Sequence, residues 1–148
     1  MRKIQALVLH PAILSALAVW ILNDHVLKRC CASWWTGKLS DGAALIAGPV
    51  VLAGLWCLLT RRPQNLRTAV NLAAATLALV MVVINIWPAA ADAYRWTLGT
   101  AQWPFRCVWS WMLGDPTPTL APAYLVMDPS DLLALPAAIV APWLGKLS

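Results

Sequence analysis

Three long stretches of this chain carry no charged side chain, and a shorter one follows near its end. Ile4–Asn23, Gly42–Thr60 and Thr68–Ala91 each approach the roughly 20 residues that an α-helix needs to cross about 30 Å of hydrocarbon. The fourth stretch, Leu132–Gly145, is short for a span and holds Pro136 and Pro142. Starting it at Pro129 and letting Lys146 reach back to the interface brings it closer to the required length. The pattern predicts an all-α membrane protein with about four transmembrane helices, 4–23, 42–60, 68–91 and 129–145, paired as two hairpins. His10, Pro11 and Ser15 interrupt the first run. A cleaved signal peptide is a second reading of that run, because Ala16-Leu17-Ala18 has the small-residue form of a cleavage site. The second run is rich in Gly and Ala, which lets neighbouring helices approach closely, and Pro49 at its middle predicts a kink. Arg61, Arg62 and Pro63 end it, and Trp87-Pro88 marks the far end of the third run.

The segment 92–128 breaks the pattern. It carries Trp96, Trp103, Trp109 and Trp111 together with Pro104, Pro116, Pro118 and Pro122. Tryptophan favours the membrane–water boundary, where its ring is half buried and its N–H is solvated. The prediction is an interfacial helix near Ala90–Leu113 and an irregular segment after it.

Composition strengthens the membrane reading. Of the 148 residues, 61% are hydrophobic and 11% charged, against about 25% charged in soluble domains. So short a chain cannot hide that much apolar surface in one core. A single domain, 1–148, is expected. The net charge of +5 sits in short basic clusters between the runs. No basic stripe alternates with aromatics, so nucleic acid is not an expected partner; membrane lipids are, and self-association is open. With the N-terminus in the cytoplasm, six Lys and Arg lie inside (Arg2, Lys3, Arg61, Arg62, Arg67, Lys146) and five outside (Lys28, Arg29, Lys38, Arg95, Arg106). This slight bias favours cytoplasmic termini.

Four spans carry a consequence that does not depend on orientation. The end of the first, the start of the second, the end of the third and the start of the fourth share one membrane face. The polar residues gather there: Asn23, Asp24, His25, Lys28, Thr36, Lys38, Ser40, Asp41, Asp92, Asp128, Ser130 and Asp131. Ser40-Asp41-Gly42-Ala43-Ala44-Leu45 also parallels Ser130-Asp131-Leu132-Leu133-Ala134-Leu135, as a short internal repeat would. Two readings of the cluster stay open. Ser40 or Thr36, and Asp128 ahead of Pro129, are good helix caps, and the helix dipole favours Asp131 in a first turn. Alternatively, Asn23, Asp24, Lys28, Lys38, Ser40, Asp41, Asp128 and Asp131 form a ligand-binding site at the bilayer boundary, where ionisable groups are costly unless paired or used.

Other chemistry finds little support. Ser40 with Lys38 as its base is a weak candidate for nucleophilic catalysis, because residues two apart on a helix do not face each other. No Gly-rich phosphate loop, catalytic triad or His-x-x-x-His pattern occurs. No Cys-x-x-Cys pair argues for zinc, and neither a metal nor a cofactor is expected. His10 is expected to make a packing hydrogen bond and His25 to be an ordinary polar residue. Cys30 or Cys31 could pair with Cys107 if all three face an oxidising compartment; Cys57, in an apolar run, reads as a small hydrophobe.

Asn23-Asp24-His25-Val26-Leu27-Lys28, Thr36-Gly37-Lys38-Leu39-Ser40-Asp41 and Asp128-Pro129-Ser130-Asp131-Leu132-Leu133-Ala134-Leu135 resemble a family of small bacterial polytopic membrane proteins. Its pattern runs Asn-Asp-x-x-Leu-Lys, Thr-Gly-Lys-Leu-Ser-Asp and Asp-Pro-Thr-Asp-Leu-x-Ala-Leu. The resemblance covers the first third of the chain and its last twenty or so residues. Near the end of the third helix, where the family often has a Lys, this chain has Asn85 and Trp87-Pro88. The resemblance implies a multi-pass protein of the bacterial inner membrane and assigns no reaction. Binding or transport of a small polar or lipid-headgroup ligand is the leading expectation. A membrane-embedded enzyme acting on a lipid, and a structural or assembly subunit, are the alternatives.

Overall fold

The computed structural model describes residues 2–31, 33–60 and 66–147, and these are helical with no strand among them. The basic end of the second run, Arg61–Arg62–Pro63, lies outside the described residues. Cα proximity divides the chain into two compact units, Met1–Met81 with Ser130–Ser148, and Val82–Pro129.

In the first unit, the first apolar run is broken into two helices. α1 (Arg2–Val8) and α2 (Pro11–Leu22) meet at His10, which has extended backbone. Pro11 can take the first helical position because the N–H it lacks there would have no partner. His10 caps α2 through Nδ1, which accepts from Ala12 N at 3.2 Å. A single unbroken span at 4–23 is therefore corrected, and His10 is a helix cap. A π-helical turn (Asn23–Leu27) and one further turn, α3 (Lys28–Cys30), continue α2.

α4 (Trp34–Thr60) starts well before the expected residue 42 and runs through Pro49 without interruption. Thr36 explains the early start: its Oγ accepts from Ser33 N at 3.1 Å and donates to Ser33 O at 2.7 Å, closing the first turn as a reaching-back cap does. Ser40 is interior to the helix and caps nothing. α5 (Leu66–Ile86) ends at Trp87 rather than at 91, because Pro88 opens a new helix. A Cβ on Gly48 of α4 would lie 2.8 Å from Leu77 Cδ1 of α5, so this glycine permits the two helices to touch.

Pro129–Ile139 forms a 3₁₀ helix, and α7 (Val140–Leu147) follows. The fourth predicted α-helix is thus corrected to a 3₁₀ helix with a short α-helical end, Pro136 lying within the tighter part. The short repeat has no structural counterpart, since Ser40 lies inside an α-helix and Ser130 in the first 3₁₀ turn. Leu7, Ile13, Val50, Ala53, Val70, Ala141 and Leu144 form one buried core, drawn from α1, α2, α4, α5 and α7. Leu45, Met81 and Ala138 form a second, which seats the 3₁₀ helix against α4 and α5.

The second unit is built on α6 (Pro88–Leu113), ended by Gly114 in the left-handed conformation (φ 73°). The chain then runs irregularly along α6. Ala123 N donates to Arg95 O (2.8 Å), and the Arg95 guanidinium donates to Leu125 O (2.6 and 3.1 Å). Trp103 Nε1 donates to Pro118 O (2.9 Å) and Asp128 N to Asn85 Oδ1 (2.9 Å). Helix followed by an irregular segment is the expected order, and these hydrogen bonds pin that segment along α6 as a strap. Gly99 is where it comes closest: a Cβ there would overlap Ala121 O and meet Ala123 N and Pro122 Cα at 3.0 Å.

Among the described residues, α4 and α5 are the two helices long and apolar enough to cross a membrane. Their 27 and 21 residues correspond to about 40 and 32 Å. Four spans paired as two hairpins are not seen.

Candidate functional site

Three elements of the first unit converge on one polar cluster: the π-turn after α2, the first two turns of α4, and the start of the 3₁₀ helix. Asp24 is its first anchor. Ser40 Oγ donates to Asp24 Oδ1 at 2.7 Å, and the Lys28 ammonium pairs with the same oxygen at 2.7 Å. Trp20, one turn earlier on α2, also hydrogen-bonds this carboxylate. Burial alone pushes the Asp24 carboxyl up, but the hydrogen bonds from Lys28 and Ser40 and the Lys28 charge outweigh it and hold it below its ordinary value of 3.8. Asp24 therefore ionises more readily folded than unfolded. Its contribution to stability is complete above the unfolded value and is lost as pH falls through the folded one. Thermal melts in detergent should show stability declining below about pH 4, with a shallower decline in Asp24→Asn.

Lys38 is the second anchor. It forms an ion pair with Asp131, which lies 93 positions away in sequence, and the two side chains are only 12% and 20% exposed. The Lys38 ammonium also stands 5.4 Å from the centroid of Trp34, within range of a favourable cation–ring interaction. Trp34 Nε1 donates to Ser130 Oγ at 3.2 Å, so one ring covers the cation and ties α4 to the 3₁₀ helix. Asp41, half-buried, interacts with Asp131 and with Lys38.

Asn23 precedes Asp24 on the π-turn. It is fully buried, and its Nδ2 donates to Thr36 O at 2.6 Å. Its Oδ1 is buried with no hydrogen-bond partner among the described residues. A buried amide acceptor without a donor costs about 1–3 kcal/mol, so this atom is the least satisfied point of the cluster.

The structure thus joins Asn23, Asp24, Lys28, Lys38, Ser40, Asp41 and Asp131. Asp128 belongs to the second unit, where its N–H meets Asn85. Asp92 also lies there, paired with Arg95 at 2.7 Å. His25 is exposed. Ser40 and Lys38 have separate partners, Asp24 and Asp131, so they do not form a nucleophile–base pair. No group of three or more His, Cys or Asp side chains suited to a metal occurs among the described residues. Cys30 and Cys31 are exposed free thiols of the first unit, Cys107 is a half-buried free thiol of the second, and Cys57 is buried and free. Trp20 and Trp34 are cluster residues that the sequence pattern does not single out. The available signal is Trp20 standing one helical turn before Asp24, and Trp34 one turn before Lys38.

Comparison with known proteins finds no matching family model, no similar curated protein and no similar solved structure.

Proposed function

We propose that this chain is a multi-pass protein of a bacterial inner membrane that binds a small polar or lipid-headgroup ligand at the Asp24–Ser40 and Lys38–Asp131 cluster. The observation that carries this reading is the Lys38–Asp131 pair. It brings a cation and a carboxylate from distant parts of the chain into a mostly buried contact, in a cluster that also holds an Asn23 acceptor with no donor. Helix capping explains neither feature.

Membrane insertion is supported by the outward faces of α4 and α5. Leu52, Leu55, Leu58 and Leu59 on the first, and Leu72 and Leu79 on the second, are exposed, a contiguous apolar surface of a kind soluble monomers rarely carry. The four-span arrangement remains our reading of the rest. At about 2.0 Å per residue for the 3₁₀ part and 1.5 Å for α7, Pro129–Leu147 extends roughly 34 Å, enough for a bilayer core. Reporter fusions at Arg62 and Ser148 should then give the same cytoplasmic signal. Opposite signals would mean that this last segment does not cross.

Ligand binding is favoured over transport because the linked polar groups gather at one end of the first unit. The test is Lys38→Met and Asp41→Asn, each checked for folding by thermal melting in detergent. Both should fold and fail to restore the phenotype of the deletion strain. Folded variants that restore it fully would reduce the cluster to a structural device.

A further inference from the structure

The two arginines of α6 are used differently. The Arg95 guanidinium is committed to the strap and to its own helix: it donates to Leu125 O and pairs with the Asp92 carboxylate. Arg106 is exposed and has no carboxylate partner among the described residues. It lines an open cleft of about 560 Å³, together with Gln102, Phe105, Trp109 and Ser110 of α6 and Pro118 of the strap. Gln102, Arg106 and Ser110 follow one another at intervals of four residues, so they stack along one side of the helix. They present a carboxamide, a guanidinium and a hydroxyl, all able to donate hydrogen bonds. No carboxylate lines the cleft, Asp115 included. The complementary ligand is an oxyanion, which an arginine grips through two parallel N–H groups.

The setting of α6 selects among oxyanions. Trp87 alone separates it from α5, a helix long and apolar enough to cross a membrane, so α6 begins where a crossing chain leaves the hydrocarbon. Its charged residues, Asp92, Arg95 and Arg106, fall within about 60° of its circumference. Ala101, Val108 and Met112, on the side away from them, are exposed. Phe105 and Trp109, also exposed, stand between that side and Arg106. A helix divided in this way lies along a bilayer surface with its apolar side down, and its cations reach the level of the lipid head groups. We propose that the cleft binds the phosphate group of a membrane lipid. Arg106 grips the phosphate, Gln102 and Ser110 donate to its remaining oxygens, and Phe105 and Trp109 lie against the glycerol and the first methylenes of the chain.

The cleft lies wholly within the second unit and does not draw on the Lys38–Asp131 cluster; the lipid source of the phosphate rests on the membrane reading above. Full-length protein in detergent is titrated by native mass spectrometry with three probes: palmitoyl-lysophosphatidic acid, palmitoylglycerol, which lacks the phosphate, and glycerol 3-phosphate, which lacks the chain. The lysophosphatidic acid should bind at least about tenfold more tightly than either of the others, the worth of one hydrogen bond to a charged group. Arg106→Gln should remove its advantage over palmitoylglycerol. Arg106→Lys, which keeps the charge without the fork, should keep part of it. Gln102→Leu should weaken both phosphate probes and spare palmitoylglycerol. Trp109→Ala should weaken both palmitoyl probes and spare glycerol 3-phosphate. Arg29→Gln removes an exposed cation from α3 and should change nothing. An Arg106→Gln protein that still prefers lysophosphatidic acid overturns the site while leaving the polar cluster of the first unit standing. Equal losses in Arg29→Gln and Arg106→Gln overturn it as mere attraction to net positive charge. Glycerol 3-phosphate bound as tightly as the lysolipid overturns the lipid assignment in favour of a water-soluble phosphate.

Discussion

Gly99→Ala is expected to strip the irregular strap from α6. The added methyl would overlap the Ala121 carbonyl oxygen and crowd Ala123 N and Pro122 Cα. All three are backbone atoms, so no side chain can rotate away to make room. Overpacking of this kind costs typically 1–3 kcal/mol and more where backbone must move. Here the displacement would also break the Ala123 N to Arg95 O hydrogen bond and pull Leu125 O from the Arg95 guanidinium. Limited proteolysis should show cleavage within 115–128 rising sharply in the variant while α4 and α5 stay protected. Gly145→Ala is the matching control, because a Cβ there meets nothing. It should leave the cleavage pattern unchanged and stabilise α7 slightly, by up to about 1 kcal/mol.

Lys38→Met should be the most damaging single change in the polar cluster. It leaves Asp131, 20% exposed and beside Asp41, without the cation it pairs with. Breaking one side of a buried pair costs about 3–5 kcal/mol. Residual exposure lowers the figure here to roughly 2–3 kcal/mol. Asp131→Asn should cost less, since Lys38 keeps the face of Trp34 and the charge of Asp41. The double variant should be more stable than the sum of the two losses implies, by at least about 1 kcal/mol. Denaturant titration in mixed micelles measures all three, and strict additivity would show that the pair contributes nothing of its own.

The elements that were legible in the sequence share one physical basis. α4 and α5 follow from long uncharged runs, which carry the helix even through Pro49 in α4, and Trp87-Pro88 marks a helix end by steric necessity. The juxtaposition of Lys38 with Asp131 was expected from counting helix ends on one face, although the four spans on which that count rests are not seen. Local competition made the rest illegible. A Pro after a His reads as an interruption and is in fact a cap with its first helical residue. Thr36 is indistinguishable in sequence from Ser40 as a capping candidate, and only the position of Ser33 selects it. The 3₁₀ form of Pro129–Ile139 leaves no mark in residue spacing, because Ala, Leu and Pro there suit a loose α-helix as well. The Asn23 acceptor could not be foreseen at all, since its isolation depends on where Thr36 O and the neighbouring helix fall.

The π-turn at Asn23–Leu27 has an evolutionary consequence. Such a turn is an α-helix holding one residue more than its register needs, here marked by Lys28 N bonding back to Asn23 O. Deleting His25 or Val26, both exposed, would remove that surplus residue and let α2 run on into α3 as one continuous α-helix, with the residues downstream facing as before. The buried face of α2, with Ile13 and Ala16, lies upstream and would stay where it is. Lys28 and Arg29 would keep their direction and the bundle its core. The surplus residue is therefore one codon that a lineage could gain or lose here without first having to rebuild the protein around it.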